Sequence, residues 1–522
     1  MKEMNREMLY KQMEDLKEKG RIKELFELVE NELLSITNMS CTLPCYQVLK
    51  AISFEQIPST LSKLIVAWLA FLNGDNNYAY GNMKKLEEEE MTNKQLKAFY
   101  YSLQALMTFN TEVKKKLALA KLSVDILPPE ESSLFMANAK LTYGQMLAGF
   151  LRYREATRLF DEAYRMFFNL GLDFPASVAL TNKLLNLYYL GDMRRVIEES
   201  NQILIQIGDM SERDKGYWDI IYLPLGMCYF QMGKLKLACK YLKLAKTCIE
   251  DTQMLHMQGV VEPFLMKAYY LLDEQRHMQE VMSDLLARLG HMHYIYRELF
   301  QCLYYVLTED TTYTNKEEIE AMIERLEMEF TKNHYQGQYQ VVELLLLLQQ
   351  KELSHIITIP YLLDMLKKVR FTGMRTQLQE LLIFLAEINL KANREKEAIS
   401  CLKEAVQVQR ETGIVASFYL LGREILPLLK KIDQEVYLLV AQFHKENETS
   451  KVGIKKEEYL LTPKEREILS LVAEGRSNAE IGDQLYLTIG TVKWHMNHIL
   501  GKLEVKNRIQ AVSEARKLGE IT

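Results

Sequence analysis

Apolar positions along most of the chain follow the spacing of α-helices. No segment alternates apolar and polar residues as a half-buried strand would, and the 522 residues include only 10 prolines and 23 glycines. The missing alternation argues against β-sheet and favours an all-α protein. A charged stretch near residue 445 then separates a long repetitive region from a short C-terminal one.

Short turns in the long region are each followed, five residues later, by a small or medium apolar residue. The pairs are Gly74 and Ala79, Val113 and Ala118, Leu151 and Ala156, Gly191 and Val196, Gly233 and Ala238, Asp273 and Met278, and Asn393 and Ala398. Turns recur about every 40 residues, a period typical of a solenoid of helix pairs. The last interval holds three periods, and the repeats inside it are degenerate, with Glu317–Ala321 and Tyr361–Met365 as the best candidates.

Small residues recur at fixed offsets around these turns, where two antiparallel helices would cross closely. Three sets share the offsets of twelve and then seven residues: Gly144, Ala156 and Ala163; Gly226, Ala238 and Ala245; Ala386, Ala398 and Ala405. A larger side chain follows four residues after each middle member: Phe160, Leu242 and Leu402. This pattern resembles tetratricopeptide repeats, lengthened from about 34 residues.

The C-terminal region carries start and stop signals for four helices. Thr462–Glu465 and Ser477–Glu480 have the composition of capping boxes, in which a hydroxyl and a carboxylate each accept a bond from a backbone N–H. Thr488 and Asn507 are candidate N-caps of the third and fourth helices, and Gly475 is a candidate end of the first. These signals predict a compact helical module.

The second and third helices of this module are separated only by Tyr486 and Leu487, a turn short enough for a helix-turn-helix. One face of the third helix is apolar: Val492, Met496, Ile499 and Leu503. The opposite face holds Gly490, Lys493, Trp494, Asn497 and Gly501. Lys493 and Asn497 lie one turn apart and offer donors to base edges and phosphates, as a helix in the major groove requires. An ordinary solvated face is the alternative.

Several ordered strings of this module resemble the LuxR-type helix-turn-helix from end to end: Leu461–Leu469, Glu474–Ile481, Thr491–His495 and Ile499–Arg508. The resemblance implies that Lys493, Trp494 and Asn497 read the groove. It also implies that Thr488, Thr491, Lys502 and Arg508 grip or approach phosphate. Gly482 replaces the usual alanine, and Asn497 stands where several relatives carry a basic residue, so their operator sequences do not transfer.

Repeats of about 40 residues before a LuxR-type module resemble the MalT-like regulators. Ile57–Asp75 is similar to the entry of their repeat domain, and Glu387–Ile399 to its exit. Those regulators also carry a nucleotide-binding domain, but the chain has no Gly-x-x-x-x-Gly-Lys-[Ser/Thr] string. We therefore expect no cofactor and no ATP-driven control.

Composition limits the remaining classes. No apolar run approaches the ~18 residues that span a bilayer, and the first residues lack the apolar core of a signal peptide. Seven scattered cysteines favour a reducing compartment, so we expect a cytoplasmic protein without a membrane partner. Cys41 with Cys45 and His291 with His293 lack the further ligands of a metal site, and no catalytic constellation predicts an enzyme.

Charge is nearly balanced in the C-terminal region. From Leu461 onward 9 Lys and Arg stand against 8 Asp and Glu, a net +1, and the rest of the chain carries 56 against 62, a net −6. A module at +1 neutralises few phosphates. A homodimer on a palindromic site would double its contacts.

The sequence thus predicts a tetratricopeptide-like, MalT-like solenoid over 1–445, a polar linker over 446–459 and a LuxR-type module over 460–522. We expect a bacterial transcription regulator that binds double-stranded DNA. Its solenoid would bind an unidentified small-molecule or protein effector, and RNA polymerase is a further candidate partner. The alternative is a scaffold protein whose helix-turn-helix serves protein contacts.

Overall fold

The computed structural model is helical throughout the part of the chain that it describes, with no strand there. It describes residues 6–39, 41–86, 91–108, 112–207, 217–251, 259–288, 294–310, 312–313, 316–333, 344, 346–348, 357–421, 424–453, 463–485, 492–493, 495–496, 499–500, 503, 505 and 507–517. The all-α prediction is confirmed. None of the helices within these ranges combines the length and the apolar character needed to cross a membrane.

The long region consists of helices, many of which are separated by only a few residues. Those of its first half are α1 Arg6–Glu18, α2 Ile22–Asn31, α3 Leu33–Thr37, α4 Leu43–Lys50, α5 Thr60–Leu72, α6 Asn76–Leu86, α7 Lys94–Met107, α8 Val113–Asp125, α9 Leu134–Gly149, α10 Tyr153–Asn169, α11 Asp173–Tyr189 and α12 Met193–Ile207. Those of its second half are α13 Tyr222–Gln231, α14 Leu235–Asp251, α15 Glu262–Leu271, α16 Gln275–Arg288, α17 Tyr294–Thr308, α18 Lys316–Asn333, α19 Ile359–Thr372, α20 Arg375–Lys391, α21 Glu395–Thr412, α22 Ala416–Leu421, α23 Leu426–Ile432 and α24 Gln434–Gly453.

The turns within helix pairs share one backbone geometry. Six of the seven predicted turn residues have positive φ: Gly74, Leu151, Gly191, Gly233, Asp273 and Asn393. In each, the next residue donates its N–H to a carbonyl five positions back, as Asp192 does to Leu187 at 2.9 Å. The apolar residue that follows is buried in all six: Ala79, Ala156, Val196, Ala238, Met278 and Ala398.

The seventh predicted turn, at Val113, is wrong in register. Val113 is the first residue of α8, and Ala118 is exposed while Ala120 is buried. Val113 lacks the positive φ that fixes the other turns, so α8 presents a different residue to the core. The weaker candidates Glu317–Ala321 and Tyr361–Met365 lie on α18 and α19.

The small residues lie where paired helices approach closely, as predicted. A Cβ built on Gly144 would come within 2.7 Å of the Phe160 ring, and one on Gly226 within 2.8 Å of Leu242 Cγ. Phe160, Leu242 and Leu402 are fully buried. The alanines of the three sets are also fully buried: Ala156, Ala163, Ala238, Ala245, Ala386, Ala398 and Ala405. These close contacts position α9 on α10, α13 on α14, and α20 on α21.

Many successive helices of the array pack on one another, and buried residues from most of them form one large core cluster. The array also departs from a purely linear solenoid, in which each repeat contacts only its neighbours. Helix α20 packs on α11, and α22 packs on α13, across large separations in sequence.

The chain divides into two compact units, Met1–Asn447 and Glu448–Thr522. Helix α24 continues to Gly453, so the first part of the predicted linker 446–459 is helical. The residues 454–459 lie outside the described ranges. In the C-terminal unit the described helices are α25 Pro463–Ala473, α26 Asn478–Leu485 and α27 Arg508–Lys517.

Candidate nucleic-acid interface

The first helix of the C-terminal unit ends at Gly475, as predicted. Gly475 has a φ of 86°, in the left-handed region that favours glycine. Its N–H donates to the Val472 carbonyl at 3.0 Å, and the Arg476 N–H donates to the Leu471 carbonyl at 3.1 Å. These two hydrogen bonds end α25, and the chain then continues into α26 after a short turn.

The second helix begins with the predicted capping box. The Ser477 N–H donates to Glu480 Oε2 at 2.7 Å, and the Glu480 N–H donates to Ser477 Oγ at 3.3 Å. The bond from the Ser477 backbone holds the pKa of the Glu480 carboxyl below its ordinary value, with the Ser477 side chain the next cause. At the last helix, the Gln510 N–H donates to Asn507 Oδ1 at 2.9 Å, which confirms Asn507 as its N-cap. The predicted caps Thr462 and Thr488 lie outside the described residues.

The apolar stripe of the third helix faces the interior of the unit, as predicted. Val492, Met496, Ile499 and Leu503 are all buried. Residues from the other three helices complete the same core: Ile468, Leu469, Leu471, Val472, Ile481, Ala511 and Ala515. Because these four residues are buried, we expect the opposite face of this helix to be the outward one.

Lys493 is helical and exposed on that outward face. Its neighbour Val492 is fully buried, so the boundary between core and surface falls between these two residues. An exposed lysine on a helix held by its other face is free to meet a phosphate or a base edge. Thr488, Thr491, Trp494, Asn497 and Lys502 lie outside the described residues, and their roles stay predictions.

Arg508 is half-buried at the start of α27, and its Nη2 donates to the Arg476 carbonyl at 2.6 Å. This bond joins the start of the last helix to the turn between α25 and α26. A guanidinium has five N–H donors, so one bond to a carbonyl leaves capacity for a phosphate. The phosphate contact of Arg508 stays a prediction. The positioning role was not visible in the sequence, because the acceptor is a backbone carbonyl 32 positions away.

Arg476 is a basic residue that sequence reasoning did not select. It lies between Gly475 and the capped start of α26, and its side chain is about half exposed. Helix N-termini carry partial positive charge and donate N–H groups to phosphates. Sequence reasoning could have selected Arg476, because this residue lies between two predicted helices.

In the described part of the chain, no group of three or more His, Cys, Asp or Glu side chains comes together as a set of metal ligands would. Burial, and secondarily the nearby Cys41, raises the pKa of the Cys45 thiol to about 12. Cys45 is therefore a protonated core residue. His291 and His293 lie outside the described residues.

Residues 459–515, within the C-terminal unit, match the luxR family of bacterial regulatory proteins. Among relatives, the transcriptional regulatory protein LiaR of Bacillus subtilis (strain 168) is 53% identical over 57 residues, 11% of this chain and 27% of LiaR. DesR of the same organism is 46% identical over 59 residues, 11% of this chain and 30% of DesR. The HTH-type transcriptional regulator AlkS of Alcanivorax borkumensis is 32% identical over 108 residues, 19% of this chain and 12% of AlkS.

These matches show a LuxR-family helix-turn-helix domain at the C-terminus. The chain spans between about a tenth and a third of the length of the relatives it matches. The similarity to AlkS is longer than the family match itself.

Proposed function

We propose that the protein is a sequence-specific DNA-binding transcription regulator. The observation that carries this proposal is the orientation of the third helix of the C-terminal unit. Its apolar stripe is buried, and the exposed Lys493 lies on the face turned to solvent. The match of residues 459–515 to the luxR family adds independent support.

In this proposal the outward face of the third helix enters the major groove. Lys493 and Asn497 contact base edges, and Trp494 packs along the sugar or a thymine methyl. Thr488, Thr491, Lys502 and Arg508 hold the phosphates and set the register of the helix. Two copies bind a palindromic site, since one module at a net charge of +1 neutralises few phosphates.

The helix-pair array is proposed as the sensor, with a MalT-like arrangement. Arrays of this kind offer long surfaces for a small molecule or a protein. Helix α15 is buried on both faces, and its buried residues include the charged Glu262 and Lys267. An effector that binds α15 would therefore have to displace the residues that pack on this helix. RNA polymerase is a further partner in the proposal, and the cytoplasm is its compartment.

The proposal is tested by selecting DNA from a random-sequence pool with the purified full-length protein. We expect enrichment of one motif with inverted half-sites, spaced by one or more turns of the duplex. The matched comparison is Lys493→Ala against Arg516→Ala, since Arg516 is an exposed basic residue on the last helix. Enrichment of the motif should be weaker for the first variant than for the wild type and should persist unchanged for the second. A wild-type protein that enriches no motif would contradict DNA recognition.

The second candidate is a scaffold protein whose helix-turn-helix binds other proteins. The helix-pair array favours it, because such arrays are common binding surfaces. It predicts that random DNA and selected DNA bind equally weakly. It also predicts that Lys493→Ala has no effect on DNA affinity beyond that of Arg516→Ala.

A further inference from the structure

The turns after α11 and α13 contact a part of the chain that lies far away in sequence. A Cβ built on Gly191 would be 2.5 Å from the Cβ of Arg375 and 2.9 Å from the Cγ2 of Thr412. A Cβ built on Gly233 would be 2.7 Å from the ring of Tyr419. The turns after α11 and α13 are therefore in tight contact with residues of α20, α21 and α22.

A backbone hydrogen bond lies in the same contact. The Val415 N–H donates to the Gln231 carbonyl at 2.7 Å, and the Val415 side chain also approaches Gly233. We call this contact the clasp. It consists of Gly191, Gln231 and Gly233 on one side and Arg375, Thr412, Val415 and Tyr419 on the other.

In the clasp, Gly191 and Gly233 have a second structural role besides forming their turns. Leu151, Asp273 and Asn393 hold the same left-handed backbone in equivalent turns, so positive φ alone does not demand glycine there. Around Gly74, with a φ of 78°, an added Cβ would meet nothing within 4 Å. At Gly191 and Gly233, by contrast, any side chain would collide with the opposite side of the clasp.

The clasp is a smaller contact than the packing within the helix pairs that it joins. One backbone hydrogen bond crosses it, while Arg375 on its far side also forms an ion pair at 3.0 Å with the half-exposed Glu411. Next to it, Gln379 donates to the Ile414 carbonyl, but its own buried Oε1 has no hydrogen-bond partner.

We propose that the clasp is a conformational switch that sets the DNA affinity of the C-terminal unit. Closed, it holds α20 against α11 and α22 against α13. Its Tyr419 ring also stacks on Phe443 of α24, the helix that continues to Gly453. Open, it releases that end of the array. An effector acts by binding one of the two states more tightly. This inference rests on the proposed function and names the regulation of that function.

Glycine substitutions separate the clasp from the turn. Gly191→Ala and Gly233→Ala add a methyl group that collides across the clasp, whereas Gly74→Ala adds the same group in open space. The φ values of Gly191 and Gly74 are 81° and 78°, so the backbone strain is matched. A further variant, Arg375→Ala, removes a clasp side chain without changing any turn residue. The variant Glu411→Ala removes the ion pair with Arg375 and the hydrogen bond that Glu411 accepts from Gln407, and it leaves the clasp residues in place.

Amide hydrogen exchange at Val415 reports the clasp directly in the full-length protein, without DNA. We expect exchange at least about tenfold faster in Gly191→Ala, Gly233→Ala and Arg375→Ala than in the wild type, because local opening governs the rate. Gly74→Ala and Glu411→Ala should retain the wild-type rate.

The second readout is affinity for the DNA fragment that the wild-type protein selects. The three clasp variants should change it at least about threefold, and the two controls should not. Unchanged exchange at Val415 would overturn the clasp, and faster exchange with unchanged DNA affinity would overturn its regulatory role. Failure of the proposed function is a separate result, since it appears in the wild-type protein as the absence of any selected DNA.

Discussion

Single residues at helix crossings show how strongly the array depends on small side chains. Gly144 lies in the middle of α9, against the ring of Phe160 on α10. The sequence predicted this contact because its offset from Ala156 repeats in two other pairs. Local spacing of this kind can be recognised from the sequence alone.

Gly144→Ala should lower the free energy of unfolding by about 1–3 kcal/mol, because the new methyl group overpacks the crossing. Gly81→Ala is the matched control, since Gly81 also lies within a helix but has open space around it. That change should be neutral or stabilise by about 0.5–1 kcal/mol through helix propensity. Denaturant unfolding of both variants checks the prediction, and equal losses would argue against a close crossing at Gly144.

Glu387 shows what residue-level reasoning missed. It is buried on α20, and desolvation, followed by repulsion from Glu424, raises the pKa of its carboxyl from 4.5 to about 8. Lys391 opposes this shift to a smaller extent. No local sequence pattern indicated this shift, because burial and the repulsion from Glu424 arise only in the folded chain.

The raised pKa has a defined effect on stability. Between about pH 4.5 and pH 8 the folded protein holds a proton on Glu387 that the unfolded chain has lost. The free energy of unfolding therefore falls as the pH rises through this window. Glu387→Gln should flatten that fall and raise the free energy at pH 7 by on the order of 1–3 kcal/mol.

The measurement is denaturant unfolding of Glu387→Gln at several pH values from 5 to 8. The exposed Glu397 on α21 supplies the control Glu397→Gln, which should retain the wild-type pH dependence. Parallel curves for the wild type and Glu387→Gln would contradict a raised pKa at this position.

At the scale of elements, helix ends and turns followed sequence rules closely. The capping box at Ser477, the cap at Asn507 and the stop at Gly475 all formed as predicted. These features depend on residues within five positions of one another. The register of α8 was wrong, since nothing at Val113 imposes the left-handed turn that fixes the other pairs.

The third helix of the C-terminal unit and the start of α27 should contribute differently to DNA binding. Lys493→Ala should weaken the selected site by about 1–3 kcal/mol and reduce discrimination against random DNA. Asn497→Ala should do the same. Arg508→Ala should lower affinity for all sequences and reduce the slope of log affinity against log salt by about one.

Titrations over a range of salt concentrations, on selected and on random DNA, separate these effects. Because Arg508 also holds the Arg476 carbonyl, its variant should unfold more readily than the wild type. Arg508→Lys should recover the salt slope without recovering the full stability, since lysine lacks the planar fork. Equal losses for Lys493→Ala, Asn497→Ala and Arg508→Ala on both DNAs would show that the assignment of roles is wrong.

At the scale of the whole molecule, the helix-pair period predicted the array but not the contacts between helix pairs that are distant in sequence. Sequence repeats report contacts between neighbouring pairs, whereas the contacts of α20 with α11 and of α22 with α13 join distant pairs. Such contacts depend on the accumulated rotation of the array, which no local motif encodes. The positions of Gly191 and Gly233 were visible in the sequence, and their second role was not.

At the scale of the whole molecule, we also expect DNA binding to be independent of nucleotides. The sequence holds no phosphate-cradling Gly-x-x-x-x-Gly-Lys string. The purified protein should therefore bind its selected DNA equally well with and without ATP, and it should not hydrolyse ATP. Turnover that persists through rigorous purification, or an ATP-dependent shift in DNA affinity, would contradict this expectation.

The central claim is that the helix-pair array controls a LuxR-type DNA-binding module. Its most direct test compares the full chain with the fragment Lys455–Thr522 on the DNA selected by the full chain, over a range of protein concentrations. A module of this size buries a small core and neutralises few phosphates. We predict that the fragment prefers the same sequence with lower affinity. Equal affinity of fragment and full chain at every concentration would leave the array without a regulatory role.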